Sequence, residues 1–338
     1  MSRLGTPLRH GRPQQCLASK GIAIKRVRLV ASVPRHLIFS RKRHAFLGPA
    51  SGPASAPLIP FPPDTGTPQQ HPREVTQMKI QQIRNAMVRI RYAGKTFLTD
   101  PWLAPRGSMG TFRDYPMFRC RPERLDLPLP LCDLPMPVAD ILAGVDAYIV
   151  THVHPDHIDM AADGSVGAPL DKTVPVFVQS EEDAAVLRRS GFARVEVLGE
   201  ETVFAGIRLS KTPGRHGTII PCGPSCGVVF RHPDEKTLYM AGDTIWFDGV
   251  AESLRRYRPD VVVVNACAAE LLDEGRLIMD DADVAALHAA RPEARIIVSH
   301  MDTVPHAALT RQDMDQALRR RGIREAVFMP DDGQSADF

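Results

Sequence analysis

Residues 151–159, THVHPDHID, gather side chains of the types that bind metal ions. His152, His154, Asp156 and His157 fall within six residues, in a chain with only 12 histidines among 338 positions. A random HxHxDH pattern is expected in about one sequence per thousand of this composition. Neutral imidazoles and carboxylates are typical ligands of zinc, manganese and iron. The cluster therefore predicts a metal site, because four ionisable groups at one strand exit are costly to desolvate unless they share a ligand.

Three further candidate ligands stand at the ends of later apolar runs. His216 comes after IRLSK, Asp243 comes after TLYMA, and His300 comes directly after RIIVS. Each position alone would also fit a cap or a turn residue. Together with the first cluster they make five histidines and two aspartates. This set is large enough for two metal ions that share one bridging carboxylate.

The elements that must position these residues change in character along the chain. Alternating apolar residues predict short strands in KIQQIRN, MVRIRY and KTFLTD, and apolar runs predict buried strands in DAYIV, VVVVN and RIIVS. Helices are predicted in EEDAAVLRRSG, DADVAALHAA and PHAALTRQDMDQALRRRG. This order favours an α/β sandwich with sheets inside and helices outside. We expect Asp156 and His157 to lie on a turn that leads into a helix.

Residues 101–137 interrupt the regular pattern. They contain eight prolines and four aromatic residues without a clean periodicity. Long irregular loops in compact domains are uncommon and are often lids or binding loops. A surface excursion that only packs against the domain is the alternative, and the sequence does not separate the two.

The first 77 residues differ in composition from the rest. They carry 12 Lys/Arg, two acidic residues and 11 of the 30 prolines. We predict a basic, Pro-rich disordered extension over 1–77 and a hydrolase domain over 78–338. The extension would be a transit peptide, a nucleic-acid arm, or a segment that precedes the native start at Met78. We expect its deletion to change neither metal content nor turnover.

Charge and cysteine usage bound the partners and the compartment. Residues 78–338 carry 30 Lys/Arg against 37 Asp/Glu, which disfavours nucleic acid, and no apolar run is long enough for a membrane span. Six cysteines without a secretory signal predict reduced thiols in the cytoplasm. Cys222 and Cys226 form a CxxxC spacing, for which a Gly/Pro turn is favoured over a redox or metal pair. A homo-oligomer is neither indicated nor excluded.

The order of these signals resembles the metallo-β-lactamase superfamily. HxHxDH, a distant histidine, GDT and a late histidine follow one another across residues 78–338, and Asp100 in FLTD matches the early aspartate of that superfamily. The LTDPWL and SHMDTVPHAALTR segments look most like the L-ascorbate-6-phosphate lactonase-like branch, which is related to N-acylphosphatidylethanolamine phospholipase D. The resemblance implies a four-layer αββα sandwich.

The resemblance also implies a role for each ligand. His152, His154 and His216 would hold one metal ion, and Asp156, His157 and His300 a second. Asp243 would bridge the two ions, and Asp156 and Asp243 would be the catalytic carboxylates. Asp100 would accept a hydrogen bond from a liganding imidazole and fix its tautomer. Zinc is the first choice of metal, with manganese and iron as alternatives.

Other residues near the motifs carry weaker predictions. Trp102, Arg215, Thr244 and Trp246 are candidates for the substrate pocket. Asp302 and Thr303 fit an N-cap before Pro305. His306 fits the start of the last helix, with donation of a proton to the leaving group as the alternative.

These residues predict a metal-dependent hydrolase that cleaves a small anionic ester, lactone or phosphodiester with a metal-activated hydroxide. A phospholipase D-like phosphodiesterase on lipids is the alternative within the same chemistry, since residues 101–137 are apolar enough to line a groove. A non-catalytic metal- or ligand-binding protein is the alternative outside it. That reading predicts a broken ligand set, whereas all seven positions are filled.

Overall fold

The computed structural model describes residues 77–273 and 275–338. The predicted extension over residues 1–77 lies outside this part of the chain, except for Gln77. The described residues form five α-helices: α1 (Val138–Leu142), α2 (Glu181–Arg189), α3 (Asp248–Tyr257), α4 (Asp281–Ala290) and α5 (Arg311–Arg320). Short 3-10 helices cover Phe112–Asp114, Pro122–Arg124 and Arg324–Ala326.

Two seven-stranded sheets make up the centre of the described fold. The first contains β1 (Lys79–Arg84), β2 (Met87–Tyr92), β3 (Lys95–Thr99), β4 (Ala147–Val150), β5 (Val176–Val178), β6 (Val195–Val197) and β16 (Ser335–Asp337), in the order β16-β1-β2-β3-β4-β5-β6. The second contains β7 (Thr202–Phe204), β8 (Ile207–Pro213), β9 (Cys226–Arg231), β10 (Leu238–Met240), β11 (Val261–Asn265), β14 (Arg295–Ser299) and β15 (Val327–Phe328), in the order β15-β14-β11-β10-β9-β8-β7. A two-stranded ribbon joins β12 (Glu270–Leu271) and β13 (Gly275–Arg276).

Strand direction brings several carboxyl ends to one edge. In the first sheet β3, β4, β5 and β6 run parallel to one another. In the second sheet β10, β11 and β14 are parallel. Strand β8 points the same way, because β8 and β10 are both antiparallel to β9. Residues that follow these strands therefore meet at one end of the sandwich.

Alternation along the strands produces four layers. In β11, Val261 and Val263 belong to the core between the two sheets, while Val262 and Val264 pack with residues of α3, α4 and α5. Outward-facing residues of the first sheet, such as Tyr148 and Val150, pack in the same way with α1 and α2. The predicted αββα sandwich of the metallo-β-lactamase type is confirmed.

Two details differ from the sequence-based expectations. Residues 155–158 form a turn that no helix follows, since the next helix is α2. The last helix begins at Arg311, where the Thr310 side chain accepts from the amide of Asp313 in a capping box. The N-cap predicted at Asp302 and Thr303 is wrong. Asp302 has φ of +62°, and its carboxylate instead accepts from the Arg311 amide.

The loop of residues 101–137 is tied to the domain at both ends. Arg84 is fully buried and donates to the carbonyl oxygens of Trp102 at 3.1 Å and Cys132 at 3.2 Å.

In the described part of the chain no helix is long and apolar enough to cross a bilayer. Cys222 and Cys226 are not joined by a disulfide, and among the described residues Cys120, Cys132, Cys226 and Cys267 are free thiols.

Candidate metal centre

The seven predicted ligands converge at the shared edge of the two sheets. His152, His154, Asp156 and His157 follow β4 in the first sheet, and His216, Asp243 and His300 follow β8, β10 and β14 in the second. Their ligand atoms form three overlapping groups, each within 4.8 Å: His152, His154 and His216; His152, His157 and Asp243; Asp156, His157 and His300. Residues far apart in sequence are thus brought together by strand direction.

Asp243 lies at the centre of this cluster. Its Oδ2 atom is 3.3 Å from His157 Nε2, 3.8 Å from His216 Nε2 and 3.9 Å from His152 Nε2. This carboxylate thus faces His152 and His216, predicted ligands of one ion, and His157, a predicted ligand of the other, as the predicted bridging role requires. The Oδ1 atom of Asp243 accepts a hydrogen bond of 2.6 Å from the Asn265 amide, which fixes the carboxylate plane.

A hydrogen bond at the far nitrogen fixes the tautomer of His216, and a carboxylate lies beside the far nitrogen of His157. His216 Nδ1 donates to the carbonyl oxygen of Leu277 at 3.1 Å, which leaves Nε2 with a lone pair that faces the cluster. His157 Nδ1 lies 3.1 Å from Asp100 Oδ2, and the predicted role of this carboxylate in fixing a liganding imidazole stays a prediction. Asp100 is itself held by the amide and hydroxyl of Thr151, at 2.8 Å and 3.0 Å.

Two asparagines support the centre and were missed from the sequence. Asn265 ends β11, and Asn85 stands in the tight turn between β1 and β2 with φ of +55°. The Asn85 side chain donates to the backbone oxygen of Asp156 at 2.9 Å and lies 3.3 Å from His300 Nε2. A signal existed for Asn265, since a polar residue closing VVVVN occupies the same kind of strand end as the ligands. No comparable signal marks Asn85.

Tight turns deliver the ligands at these strand ends. Asp100, Gly242 and His300 have φ of +44°, +67° and +62°. The left-handed region is unfavourable for residues with a Cβ atom, so Asp100 and His300 are held there by their surroundings. Such conformations concentrate at functional sites, because the surrounding structure must stabilise them.

Comparison with known proteins places this centre in a family. The model for the beta-lactamase superfamily domain matches residues 95–301, which contain all seven ligand candidates. The chain belongs to the metallo-β-lactamase superfamily.

Relatives and solved structures agree with this assignment. The Bacillus subtilis UPF0173 protein YddR is 43% identical over 267 residues, which are 77% of this chain and 100% of that protein. An isothiocyanate hydrolase from Delia radicum gut bacteria is 37% identical with a TM-score of 0.69, covering 77% of this chain and 99% of that one. A possible metal-dependent hydrolase from Veillonella parvula is 34% identical with a TM-score of 0.71, covering 78% and 100%. The chain is a metal-dependent hydrolase with the metallo-β-lactamase fold. The narrower resemblance to the ascorbate-lactonase-like branch stays a prediction.

The donor set of this superfamily member fits divalent metal ions. His157 Nε2 is buried and makes no hydrogen bond within the described residues. His152 Nε2 and His154 Nδ1 face each other at 2.9 Å, and the His152 and His157 rings lie 4.1 Å apart. Buried imidazoles this close, next to two carboxylates, are stabilised by a shared cation. The number and the identity of the ions stay predictions.

Burial and charge separate the protonation states of these imidazoles when no metal is bound. Desolvation lowers the pKa of His154 to about 4. Burial acts in the same direction on His157, but the carboxylates of Asp243 and Asp100 outweigh it and raise the pKa of His157 to about 10. Burial is also the largest single influence on His300, but Asp243, Cys267 and Asp156 together outweigh it and raise the pKa of His300 well above its ordinary value. At neutral pH the metal-free centre therefore holds protons on His157 and His300.

We expect metal binding to release these protons. A ligand must be deprotonated to bind, so raising the pH favours the metal at every pH below the pKa of the displaced protons. An unperturbed histidine, with a pKa of about 6.5, would give an affinity that levels off above about pH 7. For this centre we expect the zinc affinity to keep rising from pH 6 to pH 8.5. Competition with a chromophoric chelator, calibrated at each pH, measures this. A zinc affinity that is constant above pH 7 would contradict the assignment of protons to His157 and His300 in the metal-free centre.

A cavity of about 340 Å³ opens onto the metal centre. His154, Asp156, His216, Asp243 and His300 form its floor. Its walls are mostly apolar and aromatic: Met109, Phe112, Tyr115, Phe118 and Leu129 from the loop of residues 101–137, with Ala269, Leu277 and Ile278 opposite. The structure thus favours a binding loop over a mere surface excursion for this segment.

None of the four pocket residues predicted beside the motifs lines this cavity. Trp102 is buried under the guanidinium of Arg84, 5.0 Å from its ring centre. Arg215 donates to the carbonyl oxygens of Gly217 and Thr218. The Thr244 hydroxyl bonds the Ile245 carbonyl oxygen, and Trp246 packs against the core beside α3 and α4. Proximity in sequence to a residue of the centre was a poor guide to the lining of the cavity. At each of these positions the backbone turns away from the site within one or two residues.

Proposed function

We propose that the protein hydrolyses a small, neutral electrophile that carries an apolar or aromatic group. The observation that carries this proposal is the lining of the cavity. Among the described lining residues, apart from the metal ligands and His306, all are uncharged, and none is a lysine or an arginine. An anionic substrate group is bound best by cationic side chains such as lysine and arginine. An apolar wall instead stabilises an apolar substituent by burying it.

Divalent ions held by these ligands would activate water as the nucleophile and polarise the electrophile. The protein's own residues orient and desolvate the reactants. Asp156 is on the cavity floor, and its carboxylate lies 3.4 Å from His300 Nε2. Burial opposes its ionisation, but the neighbouring His157 and His300 hold the pKa of Asp156 well below the ordinary value. It therefore remains an acceptor that orients the attacking water at neutral pH.

Three electrophiles fit this reading: an ester, a lactone and an isothiocyanate. Esters and lactones were predicted from the sequence, and the isothiocyanate is suggested by the similar hydrolase from Delia radicum gut bacteria. In that reaction water adds its oxygen to the central carbon of R–N=C=S. Its two protons end on nitrogen, and the amine and carbonyl sulfide are the products. The similarity to that hydrolase makes an isothiocyanate a suitable first substrate to test. The apolar wall of the cavity favours an aromatic R group.

The anionic substrate that was expected from the sequence is less well matched to this cavity. A phosphodiester would rely on the metal ions alone for its charge. The volume of a two-chain phospholipid is larger than this cavity of about 340 Å³. A cavity of this size is typical of sites for small ligands. Exposed apolar side chains at Tyr115, Met117 and Leu272 nevertheless favour the lipid phosphodiesterase as the second candidate.

A panel of four substrates tests the proposal. We expect the zinc- or manganese-loaded protein to hydrolyse benzyl isothiocyanate, phenyl acetate or a neutral aryl lactone faster than bis(4-nitrophenyl) phosphate. Asp243→Asn is the inactive reference. Asp163→Asn is the matched control, because Asp163 is exposed and an asparagine keeps its bond to the Ser165 amide.

Each result has a distinct meaning. Preference for the phosphodiester would overturn the neutral-substrate proposal and move the lipid reading to first place. Bound metal without turnover on any of the four would favour the non-catalytic binding protein. A cytoplasmic location and a homo-oligomer stay predictions, which fractionation and light scattering would test.

A further inference from the structure

His306 is a polar side chain of the cavity that the metal centre does not use. It is 8% exposed and lines the cavity beside Asp156 and His300. It does not begin a helix, as the sequence favoured, since α5 starts five residues later at Arg311. The segment between β14 and α5 is irregular, and it carries this ring into the cavity wall.

Two aromatic rings of the opposite loop hold the imidazole in place. The Phe112 ring is stacked on it, with centres 4.7 Å apart and planes 30° apart, and the Phe118 ring lies 4.9 Å away. Phe112 and Phe118 also pack edge-to-face against each other at 4.9 Å. The three rings form a mutually packed triangle that restrains the imidazole in this orientation.

One nitrogen of this ring is buried without a partner. His306 Nδ1 makes no hydrogen bond to any described residue and is closed off from solvent. An unpaired buried N–H is rarer than an unpaired buried acceptor, so the proton favours Nε2 on the opposite edge. His306 therefore supplies an N–H donor to a wall that is mostly apolar.

We propose that His306 Nε2 donates a hydrogen bond to the polar head of the substrate and positions it over the metal centre. Phe112 and Phe118, with the other apolar wall residues, take the apolar substituent. This inference deepens the proposed function and rests on it for the identity of the substrate. His306 would distinguish substrates with an acceptor next to the reacting carbon from apolar molecules of the same shape.

Two probes of equal shape test this role without turnover. Acetophenone carries a carbonyl oxygen where α-methylstyrene carries a CH₂ group, and the two molecules have the same number of heavy atoms. Binding of each to the metal-loaded protein is measured by ligand-observed NMR titration. The variants are His306→Phe, which keeps an aromatic ring without a donor, and His306→Gln, whose amide nitrogen reaches the place of Nε2.

We expect His306→Phe to weaken acetophenone by about tenfold, the usual worth of one hydrogen bond, and α-methylstyrene by less than about twofold. His306→Gln should keep acetophenone within about threefold of the wild type. His306→Leu replaces the phenylalanine variant if that ring does not fit. Metal content per chain is measured on each variant and should stay at the wild-type value.

Equal weakening of both probes, or no weakening of either, would overturn the proposal, and so would failure of the wild type to bind either probe. The two levels of inference remain separable. If the probes behave as expected but no substrate of the panel is hydrolysed, the proposed function fails while the role of His306 in binding stands. If a substrate is hydrolysed equally well by His306→Phe, the role of His306 fails while the proposed function stands.

Discussion

Asp243→Asn is expected to remove most of the bound metal and to lower turnover by at least about 1,000-fold. Asp243 Oδ2 lies within 3.9 Å of three imidazole nitrogens. An asparagine keeps the shape, but it supplies neither the negative charge nor a second anionic oxygen for a bridging position. His152 and His216 on one side and His157 on the other would then share no anionic ligand.

Metal per chain by plasma mass spectrometry, beside initial rates, measures both effects on residues 78–338 and on the full chain. Close to two equivalents in the wild type, falling in the variant, is the result that the three overlapping ligand groups predict. Asp100→Asn is the matched control, since Asp100 touches His157 Nδ1 and not the ligand face of the ring. Loss of a supporting group of this kind costs about 10–100-fold. Unchanged metal content in Asp243→Asn would mean that the centre does not assemble around this carboxylate.

Gly242→Ala is expected to destabilise the fold and empty the metal centre together. Gly242 has φ of +67°, and an added Cβ would stand 2.3 Å from the Cys226 carbonyl oxygen on the neighbouring strand β9. That atom belongs to the backbone of a buried strand and has little freedom to move. The turn that aims Asp243 must shift instead, so we expect a loss of about 3 kcal/mol or more in the free energy of unfolding.

Gly144→Ala separates the two contributions to this effect. Gly144 has nearly the same φ, +66°, but a Cβ there would meet nothing within 4 Å. Only the left-handed backbone conformation is penalised, which costs about 1–2 kcal/mol. Denaturant unfolding of the two variants, with metal analysis, makes the comparison. Similar losses at both positions would show that close packing against β9 does not hold the Asp243 turn.

Much of the metal centre was predictable because its signals are local. The HxHxDH cluster is contiguous, and Asp243 and His300 each follow an apolar run that is typical of a buried strand. Strand ends of parallel neighbours meet at one edge, so the ligands found this way also meet in space. The assistance of Asn85 was not predictable, because its contacts with Asp156 and His300 span 71 and 215 residues.

Predictions about the surroundings of the centre were weaker for the same reason. Trp102 and Trp246 are close to ligands in sequence, yet one stacks on Arg84 and the other packs in the core. His306 looked like the start of a helix, because the capping role of Thr310 depends on geometry that the letters only suggest. In each case the direction of a side chain was decided by partners from distant segments.

By itself the sequence determined an α/β sandwich, the seven ligand candidates and the metal-dependent chemistry, and its resemblance to the metallo-β-lactamase superfamily implied the four-layer αββα order. The sandwich and the candidates follow from periodicity along single strands and from residue types at their ends, which are properties of short segments. Only the tertiary structure decided the character of the substrate cavity. Its wall joins the loop of residues 101–137 to Leu277, Ile278 and His306, and no short segment contains that contact. Above the metal ligands, the cavity wall is mostly apolar and carries His306, because packing between these distant segments brings uncharged side chains together there.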